Sequence, residues 1–150
     1  MKFNITIQGV LIDKINQINN PKGSVFKMIK KNSLGYKKFG ECYFSEIYSG
    51  SIKGWKIHSK QTQNLTVPIG KLKLVLIDLR KSSNTYMNIL EILIGRPENF
   101  FRITIPPGIA YGFKCTSEIT ALIVNFTDTE FDAQENQTIP LDDINIPYSW

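Results

Sequence analysis

The 150-residue chain contains one histidine, two cysteines and no arginine-rich run. A single histidine excludes the metal sites of most metal-binding β-proteins, which need several imidazoles and a carboxylate together. Cys42 and Cys115 stand 73 positions apart and match neither a metal spacing nor a redox motif. Two buried, reduced thiols are expected rather than a disulfide. The longest aliphatic runs, Leu74–Ile77 and Ala121–Val124, are four residues each. Crossing a bilayer takes roughly 20, so no membrane association is expected. After Met1-Lys2 the chain alternates polar and apolar residues, without the apolar stretch of a secretory signal. A cytoplasmic location is the expectation. No stretch keeps a helical i, i+3, i+4, i+7 apolar pattern beyond about two turns.

What is present reads as a globular domain. Hydrophobic residues make up 42% and charged residues 21%, outside the range of disordered chains. A chain of this length buries roughly 70% of its unfolded surface and needs no staple. No repeat divides it, so residues 1–150 are expected to form a single domain. The net charge of +5 favours an anionic partner such as a nucleotide or a phosphorylated metabolite. Lys27 to Lys38 holds five lysines. With no nucleic-acid module beside it, it reads as a solvated loop, and no nucleic-acid partner is expected.

Short period-two or apolar segments recur along the chain. They lie at Phe3–Ile12, Ser24–Ile29, Glu41–Ile47, Ser51–His58, Gln63–Val67, Lys71–Asp78, Met87–Ile94, Phe100–Ile105, Ala110–Phe113 and Ile119–Thr127. Turn signals separate them, among them Asn20-Pro21-Lys22-Gly23, Gly95-Arg96-Pro97 and Pro106-Pro107-Gly108. Short strands with frequent turns predict an all-β double-sheet sandwich, most simply a jelly roll. The polar last 20 residues close on Ile144–Trp150, so the tail is expected to dock on the body.

His58 is the natural base for proton transfer near neutral pH. An extended chain places Lys56, His58 and Lys60 on one strand face and Lys53, Trp55 and Ile57 on the other. Two cations beside a histidine suit a cleft that holds an anion and a reacting carbonyl, although plain solvent exposure explains them equally well. Asp78-Leu79-Arg80-Lys81-Ser82-Ser83-Asn84-Thr85-Tyr86 runs from a strand into a polar turn, and Ile105 to Phe113 is a rigid turn entering a strand. Either reads on its own as a structural element.

In this order and spacing the segments resemble the dTDP-4-dehydrorhamnose 3,5-epimerase family, clearly from Phe39 to Trp150. Its Asp-(Leu/Ile)-Arg-x-x-Ser-Pro-Thr-(Phe/Tyr) pattern is met by Asp78, Arg80, Ser83, Thr85 and Tyr86, with Asn84 for the proline. Its Pro-x-Gly-Phe-Ala-His-Gly-Phe pattern is met by Pro106, Gly108, Ala110, Gly112 and Phe113, with Tyr111 for the histidine. Gly70 stands eight residues before Asp78, and Asp143 and Trp150 match the closing Asp…Trp.

The resemblance implies a cupin-type jelly roll, a homodimer without metal or cofactor, and a nucleotide-linked 4-keto sugar as substrate, in bacterial surface-polysaccharide biosynthesis. It makes His58 the base and Asp143 the carboxylate that orients it. It points to Lys53, Lys56, Arg80 and Arg102 as groups for the diphosphate. Besides Asn84 and Tyr111, the chain departs from the family in three places. Trp55 stands where the family's Arg-Gly-x-His motif has arginine. Gln63 stands at its catalytic lysine, leaving Lys60 to reach the same space. The stretch Ile123–Phe131 lacks the tyrosine that returns the proton from the opposite face, for which Tyr111, Tyr43 and Tyr48 are the candidates. Besides single or double epimerisation, two further outcomes stay open. One is a 3,4-ketoisomerase, which also begins by enolising a keto sugar; the other is a non-catalytic nucleotide-sugar-binding homologue.

Overall fold

The computed structural model describes residues 7–150, which form strands and turns without a helix. Of the expected Phe3–Ile12 strand, residues 3–6 lie outside the described residues, and the strand itself begins at Leu11. Two five-stranded antiparallel sheets make the jelly-roll sandwich. The first runs β1 (Leu11–Lys14), β9 (Phe101–Ile105), β6 (Gln63–Ile69), β11 (Ala121–Thr127) and β4 (Glu41–Ile47). The second runs β12 (Asn136–Thr138), β5 (Ile52–His58), β10 (Ile109–Cys115), β7 (Lys71–Asp78) and β8 (Ile89–Gly95). A separate hairpin pairs β2 (Asn16–Ile18) with β3 (Val25–Lys27). Among the described residues no helix is long and apolar enough to cross a membrane.

Residues at alternate strand positions fill the space between the sheets. Ile47, Leu65, Val67, Ile103, Ile105 and Ile123 come from the first sheet and Leu72, Leu74, Leu76, Ile92, Ile94 and Ile109 from the second. Each such side chain removed from water contributes about 1.5–3 kcal/mol. Strand β11 keeps strict alternation, because its outer face is only half covered.

The run Leu74–Ile77 has no alternation, and the reason is a second core. Val75 and Ile77 point to the outer face of β7, where Trp55, Ala110 and Ile146 bury them, with Tyr148 and Trp150 packed alongside. A strand covered on both faces reads as a continuous apolar run. The covering layer is the C-terminal tail, docked as the sequence leads one to expect. Trp150 lies 5.1 Å from the Trp55 ring and Lys73 lies over it at 5.4 Å. Gly112 permits this approach, since a Cβ there would sit 2.7 Å from the Trp150 ring.

The cysteines correct one expectation. Cys115 is buried, but Cys42 is exposed, on the outer face of edge strand β4, and both are free thiols. Edge position explains it: Glu41, Tyr43 and Ser45 turn inward, so Cys42, Phe44 and Glu46 turn out.

Candidate active site

A cleft of about 690 Å³ opens between the two sheets at the β4–β5 edge. His58, Lys56, Lys53, Tyr111 and Phe113 line it from the second sheet, and Tyr43, Ser45, Leu65, Ile123 and Asn125 from the first. Two lysines and a histidine thus face a pocket whose floor is apolar, as small-molecule sites usually are.

His58 ends β5 and is 6% exposed. Its Nδ1 lies 2.5 Å from Glu135 Oε1, and its Nε2 lies 3.1 Å from the Tyr111 hydroxyl. Glu135 Oε2 accepts the backbone N–H groups of Gln61 at 3.1 Å and Lys60 at 3.2 Å. Burial pushes the Glu135 carboxyl's pKa up, but the hydrogen bonds from His58 and the two amides outweigh it and hold the group below its usual value. An ionised carboxylate only accepts, so Nδ1 carries a proton, and in the neutral ring Nε2 presents its lone pair. Tyr111 donates to that lone pair. Burial above all, then the nearby Tyr43 and Glu135, raises the Tyr111 pKa far above the ordinary tyrosine value, so it stays a neutral phenol.

The carboxylate expected at Asp143 is therefore Glu135. Asp143 accepts from the Asn145 N–H at 2.8 Å and from Asn145 Nδ2 at 3.0 Å, so it closes a turn in the tail and makes no bond to His58. Glu135 reaches the histidine because β12 pairs with β5, Asn136 opposite His58. Asn136-Gln137-Thr138 has no apolar alternation, so nothing in its composition marks a strand. The residue before it carries no signal of its own.

The lysines divide differently from the simple alternation. Between Tyr111 and Phe113 the register of β10 against β5 shifts, with Lys56 opposite Tyr111 and Lys53 opposite Phe113. The extra residue in β5 is a bulge, which re-aims a side chain, and Lys53 joins Lys56 at the cleft. Lys53 Nζ donates to the Glu46 carbonyl at 2.8 Å and Lys56 Nζ to Asn136 Oδ1 at 3.4 Å. Lys60 lies beyond the strand end, exposed and off the cleft, and takes part only through its backbone N–H.

Gln63, Arg80 and Arg102 do not line the cleft. Gln63 is buried behind Asn125, its Oε1 accepting from Asn125 Nδ2 at 2.6 Å and its Nε2 donating to Gln61 Oε1 at 2.7 Å. Arg80 clamps Asp78 with Nε and Nη2 at 2.8 Å each. Ser83 and Thr85 hydroxyls donate to the same carboxylate, both at 2.7 Å. The Asp-x-Arg-x-x-Ser-x-Thr pattern thus builds a polar knot under the loop whose Gly108 N–H donates to the His58 carbonyl at 2.8 Å. Arg102 pairs with Asp13 at 2.6 Å, donates to the Met28 and Leu34 carbonyls, and borders a second cavity of about 300 Å³. Among the described residues no group of three or more His, Cys, Asp or Glu side chains is placed to hold a metal ion.

Residues 4–150 match the family model described as dTDP-4-dehydrorhamnose 3,5-epimerase. The chain is 29% identical over 146 residues to the spore coat polysaccharide biosynthesis protein SpsL of Bacillus subtilis (strain 168), covering 96% of each chain. It is 30% identical over 111 residues to the probable low-salt glycan biosynthesis epimerase Agl13 of Haloferax volcanii, covering 72% of this chain and 70% of that one. Among solved structures, the dTDP sugar isomerase of Desulfovibrio desulfuricans G20 superposes with a TM-score of 0.94 at 36% identity, over 97% of this chain and 92% of that one.

Proposed function

The chain belongs to the dTDP-4-dehydrorhamnose 3,5-epimerase family, and on that basis we propose that it inverts C3, C5 or both in a nucleotide-linked 4-keto-deoxy sugar, with His58 as the base. The observation that carries the reading is the buried His58–Glu135 pair opening onto the cleft. A ketone at C4 acidifies the protons on its neighbouring carbons. His58 Nε2 takes one of them, and the resulting imidazolium is stabilised by Glu135 on its other nitrogen. The Tyr111 hydroxyl donates to Nε2 when the ring is neutral and accepts from it when the ring is charged, so it serves both states.

The enolate that forms needs a cation, and Gln63 has none to give. Lys56 is the replacement: it lies two residues before His58 on the same face and opposite Tyr111 in the neighbouring strand. Lys53, nearer the rim, meets the diphosphate. The role in surface-polysaccharide synthesis follows the named activities of the relatives, spore coat polysaccharide and glycan biosynthesis. The homodimer implied by the family has apolar surface to cover here, at Ile18 and Val25 of the β2–β3 hairpin and Phe44 on β4.

Proton NMR in deuterated buffer tests the reading, with the dTDP-linked and GDP-linked 4-keto-6-deoxy sugars compared. Disappearance of the C3 or C5 signal is expected, and the signal lost identifies the inverted carbon. Broadened ligand lines with both signals intact would mean binding without reaction and would end the epimerase reading.

A further inference from the structure

We propose that Tyr43 is the acid that returns the proton from the face of the sugar opposite His58. This inference rests on the epimerase reading, and it adds the residue that the family pattern leaves unfilled in this chain.

The argument starts from an amide chain whose direction is fixed at one end. Gln61 Nε2 donates to the Thr129 carbonyl at 2.7 Å. A carbonyl can only accept, so Gln61 must turn its Oε1 inward, where Gln63 Nε2 donates to it at 2.7 Å. Gln63 therefore presents Oε1 to Asn125, and Asn125 Nδ2 donates to it at 2.6 Å. The second hydrogen of that same Nδ2 goes to the Tyr43 hydroxyl oxygen at 2.8 Å. Each step forces the next.

Two consequences follow at the cleft wall. Tyr43 accepts in this contact, so its own proton is left over, and the side chain lines the cleft. Asn125 is 3% exposed, and among the described residues its Oδ1 has no partner. A free donor and a buried, unpaired acceptor thus stand side by side on the wall facing His58. Unpaired buried polar atoms are uncommon and call for an explanation. A sugar carbon to be protonated, with a neighbouring hydroxyl to satisfy Asn125, supplies one.

The other candidate phenols do not fit. Tyr111 sits on the same sheet as His58 with its hydroxyl on the imidazole. Tyr48 is 68% exposed, past the end of β4 and off the cleft. Tyr43 pairs with Asn125 across β4 and β11, so it occupies the strand next to the one in which the family's tyrosine is missing. Burial, foremost, pushes the Tyr43 pKa up, and Glu41 adds to it against the opposing bond from Asn125. The phenol therefore holds its proton until the enolate asks for it.

The protons balance. His58 Nε2 gains the hydrogen of the acidified carbon, and the C–H electron pair becomes the enolate. Tyr43 gives its hydroxyl hydrogen to that carbon from the other side, and the enolate collapses to the ketone with inverted configuration. The phenolate left behind is held by the Asn125 N–H. It regains a proton from water at the cleft mouth, where Tyr43 is 37% exposed, and His58 releases its proton to solvent.

The experiment uses Tyr43→Phe and Asn125→Asp with the dTDP-linked 4-keto-6-deoxy sugar in deuterated buffer, following exchange and inversion separately. In Tyr43→Phe, deuterium still enters the carbon through His58 while inverted product falls about a hundredfold. Asn125→Asp is isosteric and loses no ring contact, and since it sets a carboxylate oxygen against Gln63 Oε1, its fold is checked first by circular dichroism. Its carboxylate captures the Tyr43 proton, so inversion falls and exchange continues. Inversion at the wild-type rate in either variant, or loss of exchange together with inversion in Tyr43→Phe, overturns the assignment. Absence of exchange in the wild-type protein would instead overturn the epimerase reading itself.

Discussion

Glu135 Oε1 sits 2.5 Å from His58 Nδ1, and both groups are almost fully buried although the chain separates them by 77 residues. The contact depends on β12, a three-residue strand laid along the edge of β5. It defines which nitrogen of His58 faces the cleft.

Replacing Glu135 by Gln tests that role. The side chain keeps its size, and its amide oxygen satisfies the Lys60 and Gln61 N–H groups. Its NH₂ then faces Nδ1, which must accept, so the proton moves to Nε2 and the lone pair needed for abstraction is gone. Solvent-deuterium exchange into the sugar is expected to fall by about a hundredfold. Asp143→Asn, by contrast, leaves exchange at the wild-type rate, because the Asp143 carboxylate accepts only from Asn145. Equal losses in the two variants would restore Asp143 as the orienting group.

Lys56 and Lys53 are separated by kinetics. A cation that stabilises only the enolate acts in the transition state, and one that grips the diphosphate binds substrate and transition state alike. Lys56→Gln is expected to lower kcat by about tenfold to a hundredfold with little change in KM. Lys53→Gln is expected to raise KM with kcat nearly unchanged, and this effect shrinks at high salt. The reverse split would exchange the two roles.

Much of this architecture is legible in the residues. Glu41–Ile47 and Lys71–Asp78 are strands at their expected bounds, because short runs rich in aromatic and branched residues between turn signals mark strands whether one face or both are covered. The chemistry is less visible. β2 and β12 consist of mostly polar, mostly exposed residues, and short strands of that kind need no pattern. Lys53 joins the cleft through a bulge that shifts parity by one, which no alternation rule anticipates. Gln61, Gln63 and Asn125 are ordinary polar residues until two strands bring their amides within 3 Å of each other. Arg80 and Arg102 show the opposite case: their charges suggest a ligand, and the fold uses them to neutralise Asp78 and Asp13.

Asp78 makes a prediction about acid stability. Its burial pushes the pKa up, yet the hydrogen bonds from Arg80, Ser83 and Thr85 outweigh burial and hold it far below the usual carboxylate range. Between the folded value and the unfolded value near pH 4, the unfolded chain binds more protons than the folded one. The stability from this knot is therefore full above about pH 4 and drains as pH falls below it. Asp78→Asn is expected to cost about 3 kcal/mol at pH 7, because Arg80 is left without its partner. The variant also loses this part of the acid slope. Urea melts of both proteins at pH 7 and pH 3 measure the two effects. An undiminished gap at pH 3 would show that the slope arises elsewhere.

Gly112→Ala tests whether the tail is a structural layer. The added methyl would meet the Trp150 ring at 2.7 Å, with the Lys53 carbonyl and the Trp55 ring each at 3.2 Å. Trp150 is held by ring packing and not by a strand ladder, so it is the part able to give way, and the tail is expected to lift from Trp55. Overpacking of this kind costs about 1–3 kcal/mol. Tryptophan fluorescence should shift to the red as Trp55 and Trp150 gain water, and Tm should drop. Trp150→Ala in the same background should remove most of the further loss, since the clash partner is then absent. If Gly112→Ala melts like the wild type and its emission does not move, the tail is not clamped through Gly112.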